Sequence, residues 1–317
     1  MAEAPATPGK VGKPQATVGG PNAGQKAKQA VKTPPPFQVR PLQKRERYLK
    51  LLIYGNFGTG KTHLAGTASE IPAMQDVFLM NAEAGDMTLD IFSGIDEVTV
   101  KTMKEVARVF EFLRKHCAAR EAGDMDQLAK MQEFYTGQPV EGEPKQYKTV
   151  IVDSLSEIEQ YCMAQLLGQE QMTKLDEDPN AAEWKEYKQN NHMIARMVRQ
   201  FRNLPMHVIF TCAESFIQDE TKKQKFSPAL SGKLSKQVQG FFDMVGYLAT
   251  ANPKEEGDGI ISESTIARRL YVTPSKTGKF DAKHRYSKFK GSYFQDPTIK
   301  SILEACGLLD SEGALTR

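Results

Sequence analysis

The sequence predicts an α/β fold in which helices flank a largely parallel β-sheet. Its apolar runs are short and nearly continuous, which is typical of strands covered by helices on both faces. These runs alternate with longer stretches of helical periodicity. The chain has 317 residues, of which 40% are hydrophobic and 26% charged, and can bury a sizeable core. The same composition excludes a collagen, a wholly disordered chain and a disulfide-rich mini-protein.

Short apolar runs predict the strands, which are Leu49–Tyr54, Val77–Asn81, Thr149–Val152, His207–Thr211, Met244–Ala249 and Arg269–Thr273. Helices are predicted at Lys61–Ser69, Lys101–Arg120, Leu155–Leu167 and Ala182–Leu204. Trp184 belongs to the apolar stripe of the last helix, so we expect it to anchor the core or an interface. The polar stretch 121–148, which is interrupted by Gly and Pro, predicts a surface insertion.

Residues 1–40 are predicted to form a disordered, basic, Pro/Gly-rich tail, and residues 41–317 the folded domain. The first 36 residues contain seven of the 17 prolines, five glycines, five lysines and one acid. Such a segment cannot bury enough apolar surface to offset its ordering entropy. Its net charge of +4 leaves −1 for the rest of the chain. The tail is interpreted as a solubilising leader or, alternatively, as a weak tether for polyanions.

Cysteine and hydropathy patterns limit the class of protein further. The four cysteines are widely separated without C-x-x-C spacing, and the five histidines include no H-E-x-x-H pair. A zinc site or redox dithiol is therefore not expected, and scattered thiols suit a reducing compartment. No apolar run approaches the ~20 residues of a membrane span, and no secretory signal follows Met1. We expect a cytoplasmic protein that does not enter a membrane.

The most specific motif is a predicted phosphate-binding loop, or P-loop, between the first strand and the first helix. It matches G-x-x-x-x-G-K-[ST] with Gly55, Asn56, Phe57, Gly58, Thr59, Gly60, Lys61 and Thr62. Glycines allow successive backbone N–H groups to point at phosphates, and the helix N-terminus adds its positive dipole end. Lys61 is expected to bridge the β- and γ-phosphates, and Thr62 to ligate Mg²⁺. The motif predicts binding of ATP with Mg²⁺.

A second element is the strand Thr149–Val152, which is followed by Asp153. A carboxylate at the end of a buried strand can hold the magnesium ion of a P-loop enzyme. Thr62 and Asp153 are therefore the predicted metal residues. Ser154 and Glu157 have the S-x-x-E spacing of a helix capping box, so Glu157 is interpreted as structural rather than catalytic.

Hydrolysis also needs a carboxylate that orients or deprotonates water. Asp153 is followed by Ser154 instead of a second acid, so this group must come from elsewhere. A glutamate at the end of the strand beside the P-loop strand is one solution, and Val77–Asn81 leads to Glu83. Glu83 is the predicted catalytic base; the alternative is a solvated turn acid before Gly85.

The order of these segments, ending with the His207–Thr211 strand, resembles that of RecA-type ATPase cores. In particular, it is similar to phage-encoded RecA-like ATPases of the AAA-domain type linked to single-strand annealing and recombination, from about Tyr48 to Phe294. The resemblance implies a homo-oligomer, either a ring or a filament, with the nucleotide between subunits. It also implies a DNA-binding loop after the His207–Thr211 strand. In this chain that region is 214–236, and its lysines are Lys222, Lys223, Lys225, Lys233 and Lys236.

The resemblance also draws attention to the residue after this strand. Related proteins often carry Gln or His there as a sensor of the γ-phosphate, whereas this chain has Ala213. Thr211 or Glu214 is the predicted substitute.

The segment 268–290 carries eight Lys or Arg, one acid and four aromatic residues. Cations that neutralise phosphates and rings that stack on bases suit single-stranded DNA, although a charge run can also be a solvated surface. Within it, residues 281–286 are similar to the Lys-x-Arg-aromatic stretch of RecA-like relatives. The resemblance implies that Lys283 and Arg285 act in trans on a neighbour's γ-phosphate, as an arginine finger does.

Together these features predict an ATP-hydrolysing protein that acts on single-stranded DNA in phage recombination, annealing or replication, in the host cytoplasm if it is phage-encoded. One alternative is a helicase or loader of the broader AAA type, which predicts an acidic pair where this chain has Asp153 and Ser154. Another is a nucleotide-switched scaffold with little turnover, which Ala213 favours. A P-loop kinase is disfavoured because no acceptor pocket or lid motif is evident.

Overall fold

The computed structural model describes residues 47–83, 85–168, 182–218, 224–251, 267–310 and 314–315. All of these belong to one compact unit, Gln43–Arg317. The predicted tail, Lys222 and Lys223 lie outside the described residues.

The sheet has ten strands among the described residues, in the order β10-β8-β7-β1-β5-β4-β2-β3, with β6 paired to β5 and β9 to β7. The strands are β1 Lys50–Gly55, β2 Val77–Asn81, β3 Ile95–Thr99, β4 Thr149–Asp153, β5 His207–Gln218, β6 Gln224–Pro228, β7 Met244–Ala251, β8 Ala267–Tyr271, β9 Lys283–His284 and β10 Tyr293–Gln295. The run from β7 to β3 is parallel throughout. The remaining strands, β6, β8, β9 and β10, pair antiparallel.

Helices cover both faces of this sheet, which confirms the predicted α/β fold. The helices of the described residues are α1 Lys61–Gly66, α2 Met103–Ala122, α3 Met125–Thr136, α4 Leu155–Leu166, α5 Trp184–Arg202, α6 Leu234–Gln239 and α7 Ile299–Cys306. The core is divided by the sheet because successive strand residues point to opposite faces. In β1, Leu52 and Tyr54 pack with residues of α2, α4 and α5. Leu51 and Ile53 pack with those of α1 and α7.

Local signals in the sequence determine where the longer helices begin and end. Thr102 and Glu105 form a reciprocal capping box at the start of α2, and Gly123 closes that helix in the left-handed region at φ 68°. The stretch 121–148 thus contains the end of α2 and all of α3. Its Leu128 and Tyr147 are buried. No helix in the described part of the chain combines the length and apolar character needed to cross a membrane.

The second half of β5 differs from the expectation of a loop after Thr211. The strand continues to Gln218, and its residues 214–218 pair antiparallel with β6; these two paired strands are called the hairpin below. The predicted loop is therefore wrong for residues 214–218 and 224–228, which are strands paired from Glu214↔Pro228 to Gln218↔Gln224. Trp184 is 84% exposed, so the expectation that it anchors the core is also wrong.

One lysine is buried at the start of the sheet. The Lys50 ammonium donates hydrogen bonds to the carbonyl oxygens of Leu204 at 2.8 Å and Met206 at 2.6 Å. Burial lowers the pKa of Lys50 to about 7 from its usual 10.5. Between these pH values the unfolded chain binds a proton that the folded chain does not, so this group makes stability rise with pH.

We expect the substitution Lys50→Met to remove that pH dependence. The free energy of unfolding of the wild type minus that of Lys50→Met should increase by about 1 kcal/mol per pH unit from pH 7 to pH 10. Urea unfolding at several pH values measures the difference. Lys115→Met, at an exposed position of α2, is the control and should run parallel to the wild type. Parallel curves for Lys50→Met would contradict the prediction.

Candidate functional site

The P-loop connects β1 to α1. Its three glycines are needed for two different structural reasons. Gly58 and Gly60 lie in the left-handed region, at φ 72° and 89°, which L-residues with a Cβ rarely adopt. Gly55 has an ordinary φ, but a Cβ there would overlap the carbonyl oxygen of Leu248 in β7. Gly58 and Gly60 therefore permit the backbone conformation of the loop, and Gly55 permits the close approach of β7.

Lys61 is buried at the end of this loop. Its ammonium donates hydrogen bonds to the carbonyl oxygens of Gly55 at 3.0 Å and Asn56 at 2.9 Å. Burial lowers the pKa of Lys61, and the nearby carboxylates of Glu83 and Asp153 oppose that effect. The Lys61 ammonium can exchange these two carbonyl oxygens for phosphate oxygens. A hydrogen bond between an ammonium and a charged phosphate is stronger than one to a neutral carbonyl.

Asp153 joins two elements at the end of β4. The Thr62 hydroxyl, from the first turn of α1, donates to one carboxylate oxygen at 2.6 Å. The Thr211 hydroxyl, from β5, donates to the other oxygen. Asp153 is 3% exposed, so its carboxylate depends on these two donors.

The oxygen donors of Thr62 and Asp153 fit Mg²⁺, which prefers hard oxygen ligands and keeps several waters. Within the described ranges no group of three or more His, Cys, Asp or Glu side chains could hold a metal. A magnesium ion here would take its other ligands from phosphate and water, as is usual at nucleotide sites. The residues therefore fit the predicted Mg²⁺ site.

Glu83 lies beside Asp153, although its strand is not where the sequence analysis placed it. β2 pairs with β4, so β5 and β4 separate it from β1. The expectation of a strand beside the P-loop strand is therefore wrong. The register Asn81↔Asp153 nevertheless brings Glu83 to the end of β4 that carries Asp153. There the Ser154 hydroxyl donates to the Glu83 carboxylate, and the Glu83 N–H donates to the Asn81 side chain at 3.1 Å.

Glu157 plays only part of its predicted role. The Ser154 hydroxyl accepts a long hydrogen bond of 3.5 Å from the Glu157 N–H, as a helix cap does. Burial, followed by the charge of Glu83, raises the pKa of Glu157. The Glu83 carboxylate therefore lies close enough for its charge to act on Glu157.

The residues considered as γ-phosphate sensors occupy different surroundings. Ala213 pairs with Gly55 in the β1–β5 ladder and donates its N–H to the Ser156 hydroxyl at 2.9 Å. Thr211 contacts Asp153, as described above. Glu214 lies at the base of the hairpin near Tyr247, where its charge adds to burial in raising the pKa of that tyrosine. Of these three residues, Thr211 is therefore the one that contacts the Asp153 carboxylate directly.

The basic segment 268–290 does not form one surface. Arg269 stacks on the Tyr293 ring at 5.1 Å, and Arg268 lies against Gly60 of the P-loop. Lys288 packs against Gly307 at the end of α7. The cations of this segment thus reach several faces of the molecule.

Lys283 and Arg285 lie away from the P-loop of their own chain. β9 pairs with the start of β7 at Val245↔Lys283, whereas the P-loop follows the end of β1. Arg285 forms an ion pair with Asp243 at 3.1 Å and donates to the Gly240 carbonyl oxygen at 2.9 Å. The two predicted trans residues therefore lie toward the end of β7 that is farther from the P-loop of their own chain.

Among the predicted DNA-contacting lysines, Lys225 is paired with Asp281 at 2.8 Å. Lys233 and Lys236 are exposed at and near the start of α6. The Lys279 carbonyl accepts a 2.7 Å hydrogen bond from the Phe226 N–H of β6, so the turn before β9 joins the edge of the hairpin.

Sequence reasoning missed a row of aromatic rings beside this hairpin. Tyr54, Tyr247, Tyr271 and Tyr293 occupy one register line across β1, β7, β8 and β10. Phe226 and Phe280 stack on Tyr247, with ring centroids 5.6 and 5.1 Å away. Four of these rings come from four separate strands, so the row becomes visible only when the strand order is known.

A family model described as an AAA domain matches residues 47–286. Three solved structures match parts of this chain. A DnaB-like replicative helicase, described with its interactions with primase, is 15% identical over 79% of this chain and 54% of its own, with a TM-score of 0.39. A RadB recombinase is 14% identical over 78% and 86%, with a TM-score of 0.35. The flagellar accessory protein FlaH from Methanocaldococcus jannaschii is 10% identical over 78% and 86%, with a TM-score of 0.30.

The chain spans about half the length of that helicase chain. No curated protein sequence matches it. The family assignment therefore depends on the AAA-domain match.

We expect Thr211→Val to destabilise the protein, because it leaves one oxygen of the buried Asp153 carboxylate without a donor. The free energy of unfolding should fall by about 2 kcal/mol. Thr211→Ser keeps the hydroxyl and loses a methyl group, so it should cost about 1 kcal/mol. Urea unfolding at pH 7 compares the two, and a larger loss for Thr211→Ser would contradict the role of the hydroxyl.

Proposed function

The chain belongs to the AAA-domain family, and we propose that it is a Mg²⁺-dependent ATPase that acts on single-stranded DNA as a homo-oligomer. The observation that carries the proposal is the convergence at Asp153. P-loop Thr62 and β5 Thr211 both bind its carboxylate, and Glu83 lies beside it through Ser154. The position of β5 between the P-loop strand and the Asp153 strand also supports a RecA-like core.

In the proposed reaction, the residues around Asp153 have separate tasks. The P-loop amides and Lys61 bind the phosphates, and Thr62 and Asp153 would hold Mg²⁺, which neutralises charge on the phosphate oxygens when bound. Glu83, exposed and oriented by Ser154, accepts a hydrogen bond from the attacking water and can take its proton. Lys61 thus serves ATP binding and Glu83 serves ATP hydrolysis, so mutation of one or the other can separate the two steps.

Lys283 and Arg285 are proposed to complete a neighbour's site in a ring or filament. They lie at the edge of the sheet opposite to their own P-loop, as a trans-acting pair requires. Arg285 would exchange Asp243 for the γ-phosphate of the adjoining subunit.

The hairpin and the turn that pairs with it are proposed to contact DNA. Phe216 of the hairpin is 51% exposed, and exposed rings can stack on bases of any sequence. The cations proposed to contact DNA together with this ring are Lys225, Lys233, Lys236 and Lys279. Lys222 and Lys223, which lie outside the described residues, belong to the same proposal. Binding through phosphates and stacking suits recombination or annealing of the phage type, which needs no sequence reading.

A nucleotide-switched scaffold with little turnover is the second candidate. It is favoured by Ala213, which places no polar side chain at the usual sensor position. A helicase or loader would also use the same nucleotide site, although Ser154 stands where its second acid is expected.

We expect Glu83→Gln to lower ATP turnover by about 100-fold or more, the usual effect of losing a general base, while ATP binding persists. Lys61→Ala should lose binding itself, because it removes the cation of the P-loop. Turnover and ATP affinity, each measured with and without single-stranded DNA, test both. Single-stranded DNA should stimulate the wild type.

Glu157→Gln is the matched control and should retain turnover. Loss of turnover in Glu157→Gln with normal turnover in Glu83→Gln would move the base to Glu157. Absence of DNA stimulation would contradict action on DNA, and absence of turnover in the wild type would favour the scaffold.

The proposed DNA surface predicts a change in salt dependence. Lys279 and Lys236 are exposed near Asp281, which pairs with Lys225 and accepts a hydrogen bond from Gln239 of α6. For Lys236→Ala/Lys279→Ala, the slope of log K against log salt should decrease by about one unit per lost phosphate contact.

Lys288→Ala/Lys300→Ala is the control, because it removes the same charge on the α7 side of the sheet. Fluorescence anisotropy with a labelled oligothymidylate measures the slopes. Equal slopes in both double variants would show that DNA lies elsewhere.

A further inference from the structure

Arg268 of β8 lies directly against the P-loop, although no motif includes it. A Cβ built on Gly60 would be 2.9 Å from Nε of Arg268, 3.4 Å from its Cδ and 3.6 Å from its Cζ. The guanidinium therefore covers the bare α-carbon of the glycine that precedes Lys61. A side chain at Gly60 would displace it.

The main chain of Arg268 is fixed from two sides. It pairs with Thr250 of β7 in the β7–β8 ladder. Its N–H donates to a carboxylate oxygen of Asp296 at 2.8 Å, and its carbonyl accepts from the Asp296 N–H at 2.7 Å. This hydrogen bond from Arg268 is the main cause of the lowered pKa of Asp296. The base of the side chain is thus held in place before any ligand binds.

Successive side chains of a strand point to opposite faces of the sheet. Of the adjacent Arg268 and Arg269, only Arg268 therefore points to the P-loop. Arg268 shares its face of β8 with Leu270, which packs in the core cluster on the α1 side. Arg269 points to the other face, where it donates to the Gln295 side chain at 3.0 Å and stacks on Tyr293. The chain therefore contains a matched control beside the residue of interest.

Among the described residues the Arg268 guanidinium forms no hydrogen bond or ion pair, although its charge contributes to the lowered pKa of Asp296. The Arg268 side chain is exposed. The neighbouring Lys61 is instead surrounded by the acids Glu83, Asp153 and Glu214. A nucleotide triphosphate entering this region brings several negative charges. A guanidinium offers a planar pair of donors that matches two phosphate oxygens.

From this geometry we propose that Arg268 binds the phosphate chain of the nucleotide in its own subunit. It is an intrasubunit cation, distinct from Lys283 and Arg285, which lie at the other end of β7. The pairings Thr250↔Arg268 and Val245↔Lys283 are five residues apart along β7, or about 17 Å. The inference depends on the proposed nucleotide site and adds a residue to it.

Calorimetric titration with ADP, and separately with inorganic tripolyphosphate, tests the contact. We expect Arg268→Ala to weaken both ligands by about 10- to 100-fold, the loss of a charge-assisted hydrogen-bonding pair. Arg268→Lys should recover part of the affinity, because the charge remains while the planar pair of donors is lost. Arg269→Ala should bind both ligands as the wild type does. Circular dichroism and thermal unfolding verify that each variant folds, and Arg268→Gln replaces Arg268→Ala if the latter does not.

The outcomes separate this inference from the proposed function. Wild-type affinity in folded Arg268→Ala or Arg268→Gln would overturn the inference and leave the nucleotide site intact. Weaker ADP binding with unchanged tripolyphosphate binding would place the guanidinium on the base or sugar, and also overturns it. A wild-type protein that binds neither ATP nor ADP would contradict the proposed function itself.

Discussion

The hydrogen bonds to the Asp153 carboxylate are the constraint on which the rest of the site depends. A buried carboxylate without donors costs several kcal/mol in practice, so the elements that supply its donors are tied together. Thr62 comes from α1 and Thr211 from β5, and each binds a different oxygen. These two hydrogen bonds hold α1, β5 and β4 together at one edge of the sheet. The parallel register of these strands is what makes the edge a single site.

A chain of direct contacts leads from this edge to the basic hairpin. The Tyr54 hydroxyl donates to the Asp281 carbonyl oxygen at 2.5 Å and accepts from its N–H at 3.0 Å. Asp281 in turn pairs with Lys225 of β6. Tyr54 immediately precedes Gly55, so a shift of the P-loop would reach the hairpin through three residues. The proposed coupling of nucleotide and DNA can therefore be carried without a polar sensor side chain at Ala213, provided that this contact chain has two arrangements.

The sequence predicted those parts whose signals are local. Strands β1 and β4 are short apolar runs, and the P-loop and Asp153 follow them directly, so their positions needed no tertiary information. β3 was missed because Ile95–Thr99 has only two apolar residues and shows neither a continuous apolar run nor strict alternation, and β9 and β10 are too short to show a pattern. Glu83 was placed at the end of the correct strand with the wrong neighbour, because strand order depends on pairing between distant segments. The contact between Gly60 and Arg268 is equally non-local.

The charge of segment 268–290 shows why a sum along the sequence does not describe a surface. Strand alternation separates Arg268 from Arg269, and the length of β7 separates both from Arg285. Arg285 is more than half exposed and its partner Asp243 about one third exposed, so their ion pair contributes about 1 kcal/mol or less. Exchanging Asp243 for a neighbour's phosphate would therefore cost little, since the new partner carries more charge. The internal ion pair is thus compatible with a role in trans, and it keeps the guanidinium near one position while the subunit is alone.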